Sequence, residues 1–179
     1  MKAFSTYRAQ GGRWDLLLVG TPLWRRRRFD ARQSVEDLPD QLRNHVHTSG
    51  WLPQDQLAQV LSSAGALVFI PWFEGFGIPM VEAFAAGTPV IHGNRTSLPE
   101  VAAGAGLEVD PGHANQVAEA MRRIEDEPAL RAALIEKGKD RAEDFSWEKT
   151  SSLLWSCIEQ AASDAGVDMS VGKGGSASA

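Results

Sequence analysis

Two glutamates are the residues of this chain whose type and spacing could do chemistry: Glu74 and Glu82, with seven residues between them. Between them lie Gly75 and Gly77, and glycine lets backbone approach a ligand closely. If a helix begins near residues 78–80, its first amides have no partner within the helix and favour a phosphate. Carboxylates are poor phosphate ligands but good acceptors for paired hydroxyls. A ligand with both phosphate and sugar hydroxyls would suit this segment.

The spacing alone leaves a simpler interpretation open, in which Glu82 only complements the helix dipole and Glu74 is a solvated loop charge. Other reactive residues are weaker candidates. The four histidines do not form a predicted metal set, although His92 ends a strand near the site and either touches a ligand or simply packs. The single cysteine, Cys157, cannot form an intrachain disulfide and is expected to pack in a helix.

The elements that must position the glutamates alternate between strands and helices. Apolar runs bounded by turn residues predict strands, the first and third of them buried on both faces, at 15–20, 45–48, 66–71, 88–92 and 106–110. Apolar residues at helical spacing predict helices at 54–63, 79–86, 114–124, 128–143 and 146–161. This order favours an α/β fold with a Rossmann-like parallel sheet flanked by helices, with ligands at the carboxyl ends of the strands.

Composition and charge limit the class of protein. The 179 residues, 43% of them hydrophobic, predict one domain at 1–162, and the Gly, Ser and Ala of 163–179 predict a disordered tail. A net charge of -5 argues against a general nucleic-acid binder. The first residues resemble neither a signal peptide nor a membrane span, so we expect a cytoplasmic location.

With these features in hand, the segment EGFGIPMVEAFAAGTPVI closely resembles the E-x7-E signature of the glycosyl transferases group 1 family, whose retaining members share the GT-B fold. The similarity covers roughly residues 2 to 160, including HTSGWLPQDQLAQVLSSAGALVFIP and SLPEVAAGAGLEVDPGHANQVAEAM. The resemblance implies the C-terminal domain of the GT-B fold, which binds a nucleotide diphosphate sugar as donor.

Carried over position by position, the resemblance implies that Glu74 is the catalytic glutamate beside the donor sugar and that Glu82 accepts hydrogen bonds from the ribose. Gly50 and Leu52 would line the base. Backbone contacts to the sugar and diphosphate would come from the intervening loop, Phe76, Gly77, Ile78 and Pro79. Glu100 matches a segment near the donor pocket, and a purely structural role for it stays open.

The departures from the family matter as much. The resemblance implies that the first strand of the domain, an Arg and a Lys that neutralise the leaving diphosphate, and the whole N-terminal acceptor-binding domain would precede residue 1. Trp72 stands where the family often has a small polar residue. The run Arg25, Arg26, Arg27 and Arg28 is either a solvated loop or a contact to acidic lipid headgroups or a lipid-diphosphate acceptor, at a peripheral membrane surface.

The expected function is therefore the donor-binding half of a retaining hexosyltransferase, inactive as an isolated chain. It would move a mannose- or glucose-type hexose to a glycan or lipid-linked acceptor. No metal is expected, because helix-start amides and basic side chains would take the place of a divalent cation at the diphosphate. Two alternatives stay open: a stand-alone nucleotide-sugar-binding module or one chain of a split enzyme, and a nucleotide-sugar epimerase, against which the E-x7-E match argues.

Overall fold

A computed structural model of the chain describes residues 1–20, 35–36 and 38–167. The chain divides into two compact units, Met1–Ala142 and a second that begins at Glu143. The predicted domain at 1–162 spans the first unit and most of the helix in the second.

All the described strands of the first unit pair in parallel, in two sheets. The strands are β1 (Leu16–Val19), β2 (Val46–Gly50), β3 (Leu67–Phe69), β4 (Val90–Gly93) and β5 (Leu107–Val109). One sheet consists of β1 and β2, and the other has the order β3-β4-β5. The sequence predicted these five strands, and the predicted α/β class with parallel strands is confirmed. Their division into two sheets was not predicted.

Helices connect and flank the strands. In the first unit they are α1 (Lys2–Ala9), α2 (Asp40–Arg43), α3 (Gln54–Ser63), α4 (Ile78–Ala85), α5 (Leu98–Ala102), α6 (Ala114–Asp126) and α7 (Pro128–Ala142). Each long predicted helix is found, and α3 has the predicted bounds. The short helices α2 and α5 were not predicted, since four or five residues are too few to show a helical apolar period.

The core of the first unit centres on β4, whose four residues are all buried. Ile91 of β4 packs in one cluster with Val109 of β5 and Ile124 of α6. Helix α4 packs closely against α7. A Cβ added to Gly138 of α7 would lie 2.8 Å from the ring of Phe84 of α4, so only glycine fits there. The element that carries Glu82 is therefore anchored on its inner side.

The prediction that the strand at 15–20 is buried on both faces is wrong. Leu16 and Leu18 pack against the cluster that contains Phe4 of α1, but Leu17 and Val19 are exposed. In a strand successive side chains point to opposite faces, and the described residues form a layer on only one face of β1.

A buried carboxylate links α1 to α6. The side chain of Glu125, 1% exposed, accepts hydrogen bonds from Tyr7 Oη at 2.5 Å and from Arg13 Nε at 2.7 Å. Burial alone would raise the pKa of Glu125, but these hydrogen bonds outweigh it and lower the pKa. Burial and the contact with Glu125 raise the pKa of Tyr7 to about 12, so its hydroxyl stays a donor.

In the described residues of the second unit, 143–167, there is one helix, α8 (Trp147–Asp164), whose first turn is capped by the Ser146 hydroxyl accepting from Lys149 N–H. The prediction that Cys157 packs is wrong, because it is exposed, and no residue of this lone helix is buried. Helix α8 includes the first two residues of the predicted tail, 163 and 164, and ends before Gly166 at φ 69°. The rest of the predicted disordered tail, 168–179, lies outside the described residues.

Candidate functional site

Glu74 lies in the loop that follows β3, and the loop that follows β4 fixes it there. The Glu74 N–H donates to Thr96 Oγ1 at 3.2 Å. The Ser97 hydroxyl lies 3.1 Å from the Glu74 carbonyl and 3.0 Å from that of Phe76. Two hydroxyls therefore hold the backbone on both sides of Gly75 at the carboxyl end of the β3-β4-β5 sheet.

Thr96, which makes this contact, has an uncommon backbone conformation. Its φ is 54°, in the left-handed region, where a β-branched residue is an outlier. Its hydroxyl also donates to the Arg95 carbonyl at 2.8 Å. Such strain persists only where the surroundings over-determine it, and it clusters at functional sites. Sequence patterns could not reveal Thr96, because its partner Glu74 lies 22 residues away in the chain.

Gly77 is the cap residue that turns this loop into α4. Its φ is 109°, and a Cβ there would lie 3.0 Å from Leu98 Cδ2. Both the backbone conformation and the contact with Leu98 favour glycine at this position, whereas the predicted close approach of a ligand to Gly77 stays a prediction. Gly75 does not share this constraint, because its φ is not positive and a Cβ there would meet nothing within 4 Å.

The expectation that the amides of 78–80 are all unpartnered is wrong for two of the three residues. Pro79 has no N–H, and the Met80 N–H donates to the Gly77 carbonyl at 2.9 Å. Within the described part of the chain, this leaves Ile78 as the helix-start amide that can meet an anion.

The carboxylate of Glu74 already accepts hydrogen bonds from its own loop. Its Oε1 lies 3.0 Å from Gly75 N and 3.4 Å from Phe76 N. A carboxylate has two oxygens and about four acceptor sites, so Glu74 keeps capacity for a further donor. The side chain is half-buried, at the position where ligands bind in parallel sheets.

Glu82 lies on α4 and faces the start of α3. Gln54 Nε2 donates to Glu82 Oε1 at 3.0 Å. Gln54 follows the end of β2, where Gly50 has a φ of 69° and Leu52 is half-buried. The contact brings the predicted base-lining segment and the predicted ribose glutamate to one place. Spacing could not reveal Gln54, because the pair is 28 residues apart.

Large apolar side chains are exposed around this edge. Trp51 follows β2, and Trp72 and Phe73 follow β3, with exposed fractions of 72%, 65% and 80%. The guanidinium of Arg95 lies 5.0 Å from the centre of the Trp72 ring and 3.3 Å from Asp110. A hydrogen bond from the Gly112 N–H, helped by Arg95, lowers the pKa of Asp110. Arg95 is a cation at this edge that the sequence did not single out.

The histidines have structural partners. His45 and His47 both contact the Asp15 carboxylate, and His92 is buried with Nδ1 3.0 Å from the Gly93 carbonyl. Burial lowers the pKa of His92, which favours the packing interpretation. Among the described residues, no group of three or more His, Cys, Asp or Glu side chains is arranged to hold a metal ion.

The membrane prediction is not settled by the fold. The run at 25–28 lies outside the described residues, so its contact with acidic lipid stays a prediction. In the described ranges, every helix is too short or too polar to cross a bilayer.

Comparison with known proteins identifies the family. Residues 1–141 match the model of the family Glycosyl transferases group 1. Because this match covers most of the chain, the protein belongs to that family. The predicted resemblance is confirmed.

Individual relatives agree with this assignment. O-antigen chain mannosyltransferase B of Escherichia coli is 33% identical over 103 residues, which cover 58% of this chain and 27% of that protein. Sucrose-phosphate synthase from Thermosynechococcus elongatus superposes with a TM-score of 0.74 at 29% identity, over 91% of this chain and 42% of that chain. HepE of Anabaena in complex with UDP-glucose has the same fold, with a TM-score of 0.70 at 20% identity, over 79% of this chain and 40% of that chain. This chain therefore spans less than half the length of each of these proteins.

Proposed function

We propose that this chain is the donor-binding half of a retaining glycosyltransferase. The whole enzyme would move a mannose- or glucose-type hexose from a nucleotide diphosphate sugar to a glycan or lipid-linked acceptor. The proposal rests on one observation about the segment that follows the carboxyl end of β3 in this member of the family. This segment carries Glu74 in a loop that two hydroxyls hold in place, and it carries Glu82 on the helix that begins where the loop ends.

The relatives support the choice of donor. A mannosyltransferase is among the similar curated proteins, and the HepE structure holds UDP-glucose. A donor of this kind carries a diphosphate, a ribose and a hexose. The hydroxyls of the two sugars suit carboxylate acceptors, and the diphosphate suits the Ile78 amide at the positive end of α4.

The proposed roles follow from what each group can bind. Glu82 accepts hydrogen bonds from the ribose, Glu74 lies beside the hexose, and Gly50 and Leu52 line the base. Transfer breaks the bond between the anomeric carbon and the diphosphate oxygen, joins that carbon to an acceptor oxygen, and releases the acceptor proton and the nucleoside diphosphate. Stabilisation of the departing charge would come from amides and cations, with no metal ion.

We propose that an additional parallel strand, from a segment preceding residue 1, lies between β1 and β3. Two observations support this. The described part of β1 pairs only with β2, and β3 pairs only with β4. The N-terminal ends of these two strands are neighbours. A Cβ added at Gly65, just before β3, would lie 2.8 Å from the ring of Trp14, just before β1. An inserted strand would give one continuous sheet in the order typical of doubly wound folds.

Titration calorimetry tests the donor assignment. The chain would be titrated with UDP, GDP, ADP and their glucose and mannose conjugates, as wild type and as Glu82→Ala. Glu119→Ala is the matched control, because Glu119 is an exposed glutamate on the outside of α6.

We expect one base to bind, and we expect Glu82→Ala to weaken that binding about tenfold or more, since one hydrogen bond to a charged acceptor is worth about 1.5–3 kcal/mol. Binding that is unaffected by Glu82→Ala would contradict the proposed site. Absence of binding to every nucleotide, both for this chain and for a form extended by the preceding strand, would contradict the donor role.

A further inference from the structure

Gln54 is the one side chain, among the described residues, found to hydrogen bond to the Glu82 carboxylate. We propose that Gln54 is a positioning residue that orients Glu82 and thereby sets the preference of the site for ribose over deoxyribose. This inference rests on the proposed function, in which Glu82 binds the ribose hydroxyls. It adds a second residue, on a different helix, to the recognition of the nucleoside.

The chemistry of the contact suits a positioning role. The Gln54 amide donates to Oε1 of Glu82 at 3.0 Å and leaves Oε2 for a ligand. A neutral amide fixes the carboxylate without cancelling its charge, so the acceptor strength that a pair of hydroxyls needs is kept. A lysine or arginine at this position would pair with Glu82 and compete with the ribose.

A groove beside Glu82 offers space for a different orientation of its side chain. A groove of about 520 Å³ lies between α3 and α4, and Gln54 and Glu82 both line it, together with Ala58, Leu61 and Ala86. Glu82 is only half-buried, and a glutamate side chain has several staggered rotamers. Without the hydrogen bond from Gln54, its carboxylate can turn into this groove and away from the ligand.

The place of Gln54 in the chain couples two parts of the site. It is the first residue of α3, directly after Pro53, whose carbonyl accepts from Leu57 N–H at 2.9 Å. Gly50 and Leu52, the proposed wall for the base, lie immediately before it. One rigid junction between β2 and α3 therefore sets both the base wall and the orientation of the ribose acceptor.

The test compares ribose with deoxyribose ligands. Ligand-observed NMR, which detects millimolar affinities, would measure Kd for UDP, GDP and ADP and for the 2′-deoxy and 3′-deoxy forms of whichever binds wild type. The variants are Gln54→Ala, Gln54→Glu and Glu82→Ala. Gln59→Ala is the matched control, since Gln59 lines the same groove on α3. Thermal unfolding would check that each variant folds.

We expect wild type and Gln59→Ala to prefer the ribonucleotide and Glu82→Ala to lose that preference. Gln54→Ala should weaken ribonucleotide binding about fivefold, the effect of one hydrogen bond of about 1 kcal/mol, while deoxynucleotide binding changes less than twofold. Gln54→Glu should weaken it further, because it keeps the shape but sets a second carboxylate against Glu82.

Three results would overturn the inference, and they are distinguishable. If the ribose preference survives in Gln54→Ala but is lost in Glu82→Ala, Gln54 does not orient Glu82 and the proposed function stands. If Gln54→Ala weakens both kinds of ligand equally, its role is only to maintain the fold of the junction. If neither the wild-type chain nor a form extended by the preceding strand binds any nucleotide, the proposed function itself fails.

Discussion

The two glutamates of the site differ in what already surrounds them. Glu74 accepts hydrogen bonds from the amides of its own loop, and Glu82 accepts one from the side chain of a neighbouring helix. The first arrangement ties the carboxylate to the loop that would meet the hexose. The second ties the carboxylate to the segment that would meet the base. We infer that substitutions at the two positions affect different parts of the donor.

Glu74→Gln tests this difference. Glutamine keeps an oxygen that can accept from Gly75 and Phe76, so the loop conformation should survive, but the negative charge is lost. We expect the Kd for the nucleotide sugar to rise about tenfold, because hydrogen bonds to a charged group contribute about 1.5–3 kcal/mol. The Kd for the nucleoside diphosphate alone should stay within twofold. An equal loss for both ligands in calorimetry would contradict the placement of Glu74 beside the hexose.

At the residue scale, the sequence reveals residues that belong to a recognisable motif. It does not reveal residues whose role is to contact that motif from distant parts of the chain. Glu74 and Glu82 stand at a recognisable spacing. Thr96, Ser97 and Gln54 contact the two glutamates across 22 to 28 residues. Nothing in local sequence distinguishes a threonine that must adopt positive φ from any other loop threonine.

At the scale of elements, the loop from β3 to α4 depends on one glycine. Gly77 combines a left-handed backbone with contact to Leu98 of α5, so it fixes both the direction of α4 and its distance from α5. Gly75, two residues earlier, has neither constraint. The two positions provide a matched pair.

Gly77→Ala should lower the free energy of unfolding by about 1–3 kcal/mol, since a left-handed alanine costs about 1–2 kcal/mol and Leu98 must also move. Gly75→Ala should be neutral or slightly stabilising, because it mainly reduces the freedom of the unfolded chain. Urea unfolding of both variants measures the difference. Equal stabilities would show that the Gly77 conformation is not required.

Most elements could be predicted because their patterns are local. Helix α3 is preceded by Pro53 and carries a regular apolar face, so its bounds follow from sequence. Helix α5 is missed, since it has only five residues and is followed by the cap residue Ala103 with φ 45°, a conformation that sequence does not signal in an alanine. The exposed face of β1 is missed because burial depends on what packs against a strand.

At the scale of the whole molecule, Glu125 joins residues that are far apart in the chain. Its partner Tyr7 lies 118 positions away, so the contact ties α1 to α6. The pKa of this carboxyl is lowered in the fold. A group with a lowered pKa stabilises the fold above its unfolded pKa, and that stability is lost as pH falls through the folded value.

Glu125→Gln should therefore reduce the free energy of unfolding at pH 7 by about 1–3 kcal/mol, the effect of weakened hydrogen bonds at a buried charged acceptor. The wild type should lose stability as pH falls below the ordinary carboxyl pKa of 4.5, and the variant should lose less over the same range. Glu119→Gln, on the exposed side of α6, should behave as wild type. Urea unfolding between pH 7 and 3 gives the comparison, and parallel pH profiles for wild type and Glu125→Gln would contradict it.

The two separate sheets could not be anticipated from sequence, because strand order depends on pairing between segments rather than on the segments themselves. The family could be anticipated, since its motif lies within one continuous segment. The central property still to be measured is the binding of nucleotide sugars by the isolated chain.

Amide chemical-shift mapping with the nucleotide sugars measures this binding most directly. We expect the largest shifts on Gly50, Leu52, Gly77, Ile78 and Glu82, around the carboxyl ends of β2 and β3. Shifts confined to other surfaces, or no shifts at millimolar donor for both this chain and the form extended by the preceding strand, would contradict the assignment of this chain as a donor-binding domain.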